Sequence, residues 1–323
     1  MKDSCNNDII KFFIVKIFIG VIGFFSMSLY SSLLDPSEYG NYSLIIGFIN
    51  ILIAIFIGWI GSSALRYYDE NRNNKTIFFS NITISIFFMI FVSIIITYLG
   101  TIFFKNIPLK EYFIFVIFLL SILSCVDVFE KVLRASKETN IYMYTILLQT
   151  FLNIVVFYIL IKMYNLGIYA LFISNIISNF IFLLICIFKL KIYKNLEFKK
   201  FDRELQKRFL EYGIPMIGVW GIGWILSYCD RYMIAMFYSS YDVGIYDMSY
   251  KIAENSINIL ITSFTLAVFP RLISIWNKHG EQKTISKLEE ILRYYFILII
   301  PAIIGLISIS DKLYITILDP SYL

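Results

Sequence analysis

The chain has 323 residues, of which 59% are hydrophobic, 18% aromatic and only 16% charged, with a mean hydropathy of +0.75 and a formal net charge of +5. Soluble domains carry roughly 25% charged residues. No soluble core of this size hides so much apolar surface, which excludes an ordinary soluble domain and leaves the bilayer as the solvent.

A membrane-crossing helix needs about 20 mostly apolar residues, because each residue rises ~1.5 Å through a ~30 Å hydrocarbon core. Runs of that kind fall at 9–33, 42–65, 77–104, 112–133, 141–163, 167–188, 212–239, 245–270 and 291–310. They are about twice as long as barrel strands and do not alternate, so they predict an all-α polytopic membrane protein with about nine spans. The first run is too long for a secretory signal, and no A-x-A-like site follows it.

The polar breaks carry the orientation. Three cations lie at the N-terminus (Lys2, Lys11, Lys16), and eight lie at 189–211. Together with those at 66–76, 127–140 and 271–293, one side holds 22 of the 28 Lys and Arg residues, against four on the other. This asymmetry predicts a cytoplasmic N-terminus.

Lys16 lies inside the first span, where it either faces a cavity or snorkels to the cytoplasm. Asp127, Glu130, Lys131 and Arg134 close the fourth span at spacings of three and four, and read mainly as a solvated cytoplasmic helix end, with a gate at the inner mouth as the other reading. The 189–211 break, with Phe198, Phe201, Leu205 and Phe209 at helical spacing, reads as an amphipathic helix on the anionic inner leaflet. Anionic membrane lipids are therefore expected partners, and nothing else in the chain supports nucleic-acid binding. In the seventh span Gly218, Gly221, Gly223 and Ser227 read as close helix packing. Pro215 adds the means to bend.

Charges inside spans are costly, by about 2.5 kcal/mol or more, and usually face a partner or a cavity. Asp230 and Arg231 fall in the outer half of span seven; Lys251 and Glu254 fall in the outer third of span eight, three apart on one face. The four are expected to form one polar cluster. It reads either as structural ion pairs or as a water-filled cavity whose cations, Arg231, Lys251 and Lys16, attract an anionic substrate. Cys5, Cys125, Cys186 and Cys229 lack metal-site spacing, and the one histidine, His279, reads as a surface residue. No metal site, cofactor or histidine-based catalysis is expected.

An internal repeat is visible. Glu38-Tyr39-Gly40-Asn41-Tyr42 opens the second span and Asp242-Val243-Gly244-Ile245-Tyr246 opens the eighth, both acidic-x-Gly-x-Tyr. Glycine permits a tight turn, the acid favours a helix N-terminus, and Tyr suits the membrane interface. An offset of six helices predicts two lobes of the same topology. The expected division is a six-helix lobe at 1–188, a basic linker at 189–211, and the first three helices of a second lobe at 212–323.

The stretch from Leu33 through Asp35-Pro36-Ser37-Glu38-Tyr39-Gly40 to Ser43 resembles the first outer loop of polysaccharide (O-antigen, Wzx-type) flippases. Tyr212-Gly213-Ile214-Pro215, Asp230-Arg231-Tyr232, Val243-Gly244-Ile245-Tyr246 and Phe269-Pro270-Arg271 resemble their seventh and eighth helices. These proteins belong to the multidrug, oligosaccharidyl-lipid and polysaccharide exporter superfamily. The resemblance implies a bacterial inner-membrane flippase that moves undecaprenyl-pyrophosphate-linked oligosaccharides outward by alternating access, for O-antigen or capsule synthesis. It also implies polysaccharide assembly proteins as partners. The family has twelve to fourteen helices, so the second lobe is expected to lack its last three or more.

Two other readings differ in what they require. A membrane glycan polymerase or transferase needs a place for chemistry, and the outer loops are only about five to ten residues. A non-enzymatic transporter is therefore preferred. A multidrug exporter of the same superfamily shares the architecture, and the fold alone does not exclude it.

Overall fold

A computed structural model describes the backbone of residues 2–104, 107–136 and 138–322. Their side chains are described except at 2–14, 16, 139, 258–260, 262–267, 269–271, 273–274 and 277–279. The described residues form nine helices and no strand. These are α1 Lys2–Leu33, α2 Pro36–Tyr67, α3 Lys75–Phe103, α4 Phe113–Ala135, α5 Thr139–Tyr164, α6 Ile168–Leu190 and α7 Arg203–Phe237, then α8 at 240–279 and α9 Gly280–Ile317. Gly280, at φ 74°, separates the last two. Seven of them, α2 to α7 and α9, are long and apolar enough to cross a membrane; the described apolar part of α1, Ile17–Leu33, is shorter. In lipid a helix satisfies its own backbone, which overrides the weak helix preference of the many Ile residues.

The chain divides into two compact units, residues 34–244 and residues 1–33 with 245–323. Compactness is a different criterion from the repeat that suggests a division at 189–211.

In the 34–244 unit, Asp35 caps α2 by accepting from the Ser37 amide at 2.8 Å, and Pro36 supplies a preset first turn. One face of α2 (Leu44, Ile45, Ile49) is buried with Val116, Leu119 and Leu120 of α4, Phe172 of α6, and Val243. Helix α2 is interrupted by a π-helical turn at Ile53–Ile57.

The two glycines of the repeated motif meet. A Cβ on Gly40 would collide with the Ser240 carbonyl and lie 2.9 Å from the Gly244 amide; one on Gly244 would collide with the Pro36 carbonyl and lie 3.2 Å from the Gly40 amide. Each glycine thus packs on the residue four before the other, and backbone touches backbone. Only a residue without a side chain permits that approach.

The 189–211 segment is not a single surface helix. Short 3-10 turns occupy Ile192–Lys194 and Phe198–Lys200, and Asp202 then caps α7 by accepting from the Glu204 amide at 2.8 Å. Helix α7 therefore starts at Arg203, nine residues before the apolar run at 212 suggests. The reason is packing. Leu205 and Phe209 are buried, with the Phe209 ring 5.8 Å from Tyr67 and 6.0 Å from Phe78, whereas Phe198 and Phe201 stay exposed. The Ser63 hydroxyl donates to the Phe209 carbonyl at 2.7 Å.

Helices α5 and α6 share a seam of amides. Gln149 Nε2 donates to Asn179 Oδ1 at 2.7 Å and Asn153 Nδ2 to Ser178 Oγ at 3.3 Å, while Asn175 Nδ2 of α6 donates to the Tyr42 hydroxyl of α2 at 2.7 Å. In hydrocarbon such bonds hold helices together by ~0.6–2 kcal/mol each. The turn between the helices uses Asn165 (φ 53°) and Gly167 (φ 53°), and Glu38 accepts from the Ile168 amide at 3.3 Å.

In the other unit, the Ser249 hydroxyl donates to the Tyr314 hydroxyl at 3.1 Å, and Tyr314 donates to the Tyr322 carbonyl at 2.6 Å. The Asp319 amide donates to Ser31 Oγ at 3.2 Å, which ties the end of α1 to the segment after α9.

Candidate functional site

Helix α7 places Trp220, Trp224, Tyr228 and Tyr232 at intervals of four, so all four fall on one face. That face lies on α2. Tyr232 donates to the Leu44 carbonyl at 2.8 Å, Trp224 Nε1 to the Gly47 carbonyl at 2.8 Å, and Trp220 Nε1 to Ser62 Oγ at 3.2 Å; Tyr228 accepts from Asn50 Nδ2 at 2.9 Å. Gly47 and Gly58 make the room: a Cβ on Gly47 would sit 2.7 Å from the Tyr232 hydroxyl, and one on Gly58 would sit 3.2 Å from Trp220. The π-turn lies between these two glycines, and such turns are frequent at functional sites.

At the lower end of this stripe lies an ion pair. Lys131 Nζ is 2.8 Å from Asp127 Oδ2 and 4.7 Å from the centre of the Trp220 ring. The Lys131 side chain is 8% exposed and Asp127 28%. This corrects the reading of Asp127 and Lys131 as a solvated end. Gly61 of α2 leaves the space, since a Cβ there would meet Lys131 Cδ at 2.7 Å, and Trp220 roofs the cation. The neighbouring Arg134–Glu130 pair is looser, at 3.7 Å.

Arg231 is buried, at 2% exposure. It lies 3.2 Å from Asp230 Oδ1 and 5.1 Å from the centre of the Tyr228 ring, and donates to the Ser227 carbonyl. Beside the stripe, Phe48, Phe104, Trp224, Tyr232 and Met236 line a cavity of about 500 Å³.

In the other unit, Lys251 is 2.9 Å from Asp247 one turn earlier, with Asp247 buried at 1% and Lys251 at 35% exposure. Glu254 is exposed. Each described pair lies within one unit, Arg231 with Asp230 and Lys251 with Asp247, which joins the candidate set. The sequence signal for Asp247 was its i, i+4 spacing to Lys251. The side chains of Lys16, His279, Arg271, Phe269 and Pro270, and Cys5 near the N-terminus, lie outside the described residues.

The small-residue reading of α7 is also corrected. Nothing described lies within 4 Å of a Cβ on Gly218, Gly221 or Gly223, so these glycines do not mark close packing among the described residues. Among those residues, no group of three or more His, Cys, Asp or Glu side chains is placed to hold a metal ion. In the repeated acidic-x-Gly-x-Tyr motif, Glu38 caps α6 as above. Asp242 accepts from the Ser239 amide at 3.0 Å and hydroxyl at 2.6 Å. The Tyr42 ring lies 5.4 Å from Phe172 and the Tyr246 ring 6.1 Å from Tyr250.

A family model described as polysaccharide biosynthesis protein matches residues 29–323. The chain belongs to that family. Among solved structures, it is similar to an inward-facing multidrug resistance transporter of the MATE family and MOP superfamily, with TM-score 0.67 and 15% identity over 93% of this chain and 74% of the other. An outward-facing MATE transporter matches with TM-score 0.64 and 16% identity over 96% and 73%. MATE in complex with MaD3S matches with TM-score 0.63 and 15% identity over 97% and 75%. These likenesses establish the fold, a MATE-like transporter fold. No curated protein matches the chain. Family and fold together make this polysaccharide biosynthesis protein a multi-pass membrane protein of transporter architecture.

Proposed function

We propose that the protein is a flippase that carries undecaprenyl-pyrophosphate-linked oligosaccharides across the bacterial cytoplasmic membrane. The observation that carries the proposal is the family match, read beside cations held inside apolar helices. A pyrophosphate must leave water to cross, and a cation in a low-dielectric setting attracts it more strongly than the same cation in bulk.

Arg231 and Lys251 are already paired, so binding there is an exchange in which the headgroup replaces a carboxylate. Lys251 suits exchange best, since its amine is partly open while Asp247 stays behind it. Arg231 and Lys16 remain candidates for the same role. The lobe division at 1–188 and 212–323, with 189–211 between, belongs to this proposal. It is supported by Gly40 and Gly244 meeting at equivalent positions.

The test uses cells lacking their own flippase. Lys251→Ala and Arg231→Ala are each expected to lower surface glycan about tenfold or more at normal membrane abundance, the effect of losing one charge-assisted contact. Arg231→Lys separates a need for charge from a need for a bidentate contact. Normal export by both alanine variants would sink the cation hypothesis.

We also propose that the N-terminus is cytoplasmic, from the distribution of Lys and Arg. A reporter active only in the cytoplasm should be active in the 68–74 loop and silent in the loop before α4; the reverse pattern would refute the orientation. A multidrug exporter is the second reading, favoured by the aromatic-lined cavity beside Trp224. Drug efflux with unchanged glycan export would select it.

A further inference from the structure

Away from the charges within the spans, a cavity of about 590 Å³ opens near the ends of α2, α4 and α6 and the starts of α3 and α5. Its walls carry Arg72, Lys75, Lys189 and Lys191 against a single carboxylate, Glu138, with Tyr68 and Asn195 adding polar groups. Arg72 is paired with Asp69 at 2.9 Å, whereas Lys75, Lys189 and Lys191 make no ion pair among the described residues. Like charges around one hollow repel, and an anion between them removes the repulsion. Leu133, Ile141 and Leu190 line the same hollow, so apolar groups stand beside the cations.

The backbone at Lys191 is a second, independent observation. Lys191 ends α6 in the left-handed conformation, φ 54° and ψ 40°. That position favours Gly or Asn, and the equivalent cap of α5 does use Asn165 at φ 53°. A lysine there is held against local preference: its carbonyl accepts from Asn195 Nδ2 at 2.9 Å and from the Lys194 amide at 3.1 Å. Outliers of this kind cluster at ligand clamps. Burial pushes the Tyr68 hydroxyl above its usual range, with Arg72 opposing, so Tyr68 is kept as a donor.

We infer that this hollow binds the phosphate of an anionic phospholipid headgroup, with Lys75, Lys189 and Lys191 as the cations and the apolar wall against the acyl chains. On the orientation proposed above the hollow lies on the cytoplasmic side, where basic pockets between membrane helices are suited to such headgroups. The site is distinct from the proposed translocation cations, and it does not depend on which substrate is carried.

The test is lipid retention and thermal shift on the purified full chain in neutral detergent. Phosphatidylglycerol should be retained and raise the melting temperature, and phosphatidylcholine at equal concentration should do neither. Lys75→Gln and Lys189→Gln should each weaken the lipid effect about fivefold, the loss expected for one cation at an anionic lipid. Lys191→Gly separates binding from folding. It relieves the backbone while removing the charge, so the lipid-free protein should melt no lower than wild type and yet respond less to phosphatidylglycerol. Unchanged lipid response in all three variants would overturn the inference. So would protection by inorganic phosphate equal to that by lipid, which would assign the hollow to a free anion.

Discussion

Gly40→Ala and Gly244→Ala are each expected to lower stability by about 2–3 kcal/mol, at the upper end for overpacking a tight contact. The added methyl group meets a backbone carbonyl, of Ser240 in one case and Pro36 in the other. A backbone carbonyl cannot rotate away as a side chain does, so the helices themselves must part. The double variant should lose less than the sum, because once the helices have separated the second methyl finds space. Gly218→Ala, Gly221→Ala and Gly223→Ala are the controls. With nothing described within 4 Å of the new Cβ, each should be neutral or stabilise α7 by ~0.5–1 kcal/mol through helix propensity. Thermal melting of the detergent-solubilised protein, followed by size-exclusion, measures all six. Equal behaviour of the two groups would show that the backbone crossing carries no stability.

Asp127→Ala is expected to cost about 3–5 kcal/mol, because it strands the Lys131 ammonium in a site where it is 8% exposed. Lys131→Met should cost less, since the abandoned carboxylate retains 28% exposure and can reach water. The double change Asp127→Leu with Lys131→Met should return to within about 1 kcal/mol of the parent, as buried pairs replaced by apolar residues often do. The same melting assay reads this ordering. A loss below about 1 kcal/mol for Asp127→Ala would match an exposed pair and refute the burial.

The course of these helices was legible in the sequence because apolar length is a local property. The apolar runs beginning at 42, 77 and 112 match α2, α3 and α4 to within one residue where they overrun them, whereas the tight turn expected of the Gly40 motif is absent: Gly40 and Gly244 lie within α2 and α8 without positive φ and serve the backbone contact instead. What escaped was decided at a distance. Asp127 and Lys131, four apart, look the same whether solvated or buried; Gly61 and Trp220, far away in the chain, decide between them. Helix α7 begins before its apolar run because Leu205 and Phe209, separated by Gln206, Lys207 and Arg208, are buried, and the aromatic contact of Phe209 with Tyr67 and Phe78 has no signature in their own segment. The opposite error occurred at Gly218, Gly221 and Gly223, where small residues implied a neighbour that the described residues do not supply. The four-residue spacing of Trp220, Trp224, Tyr228 and Tyr232 is a sequence signal that the reading of spans and charges does not use, and its meaning rests on Gly47 and Gly58.

The amide seam between α5 and α6 restricts how this hairpin can change over generations. A slip of one residue moves a side chain ~1.5 Å along its helix and ~100° around it, which turns Gln149 away from Asn179 and Asn153 away from Ser178. In hydrocarbon no water replaces the lost partner. The seam is therefore a ruler that admits one register, and a substitution on one helix is tolerated only where the other compensates. Residues 149 and 179, and 153 and 178, should drift in pairs, while the lipid-facing positions around them vary freely among apolar residues.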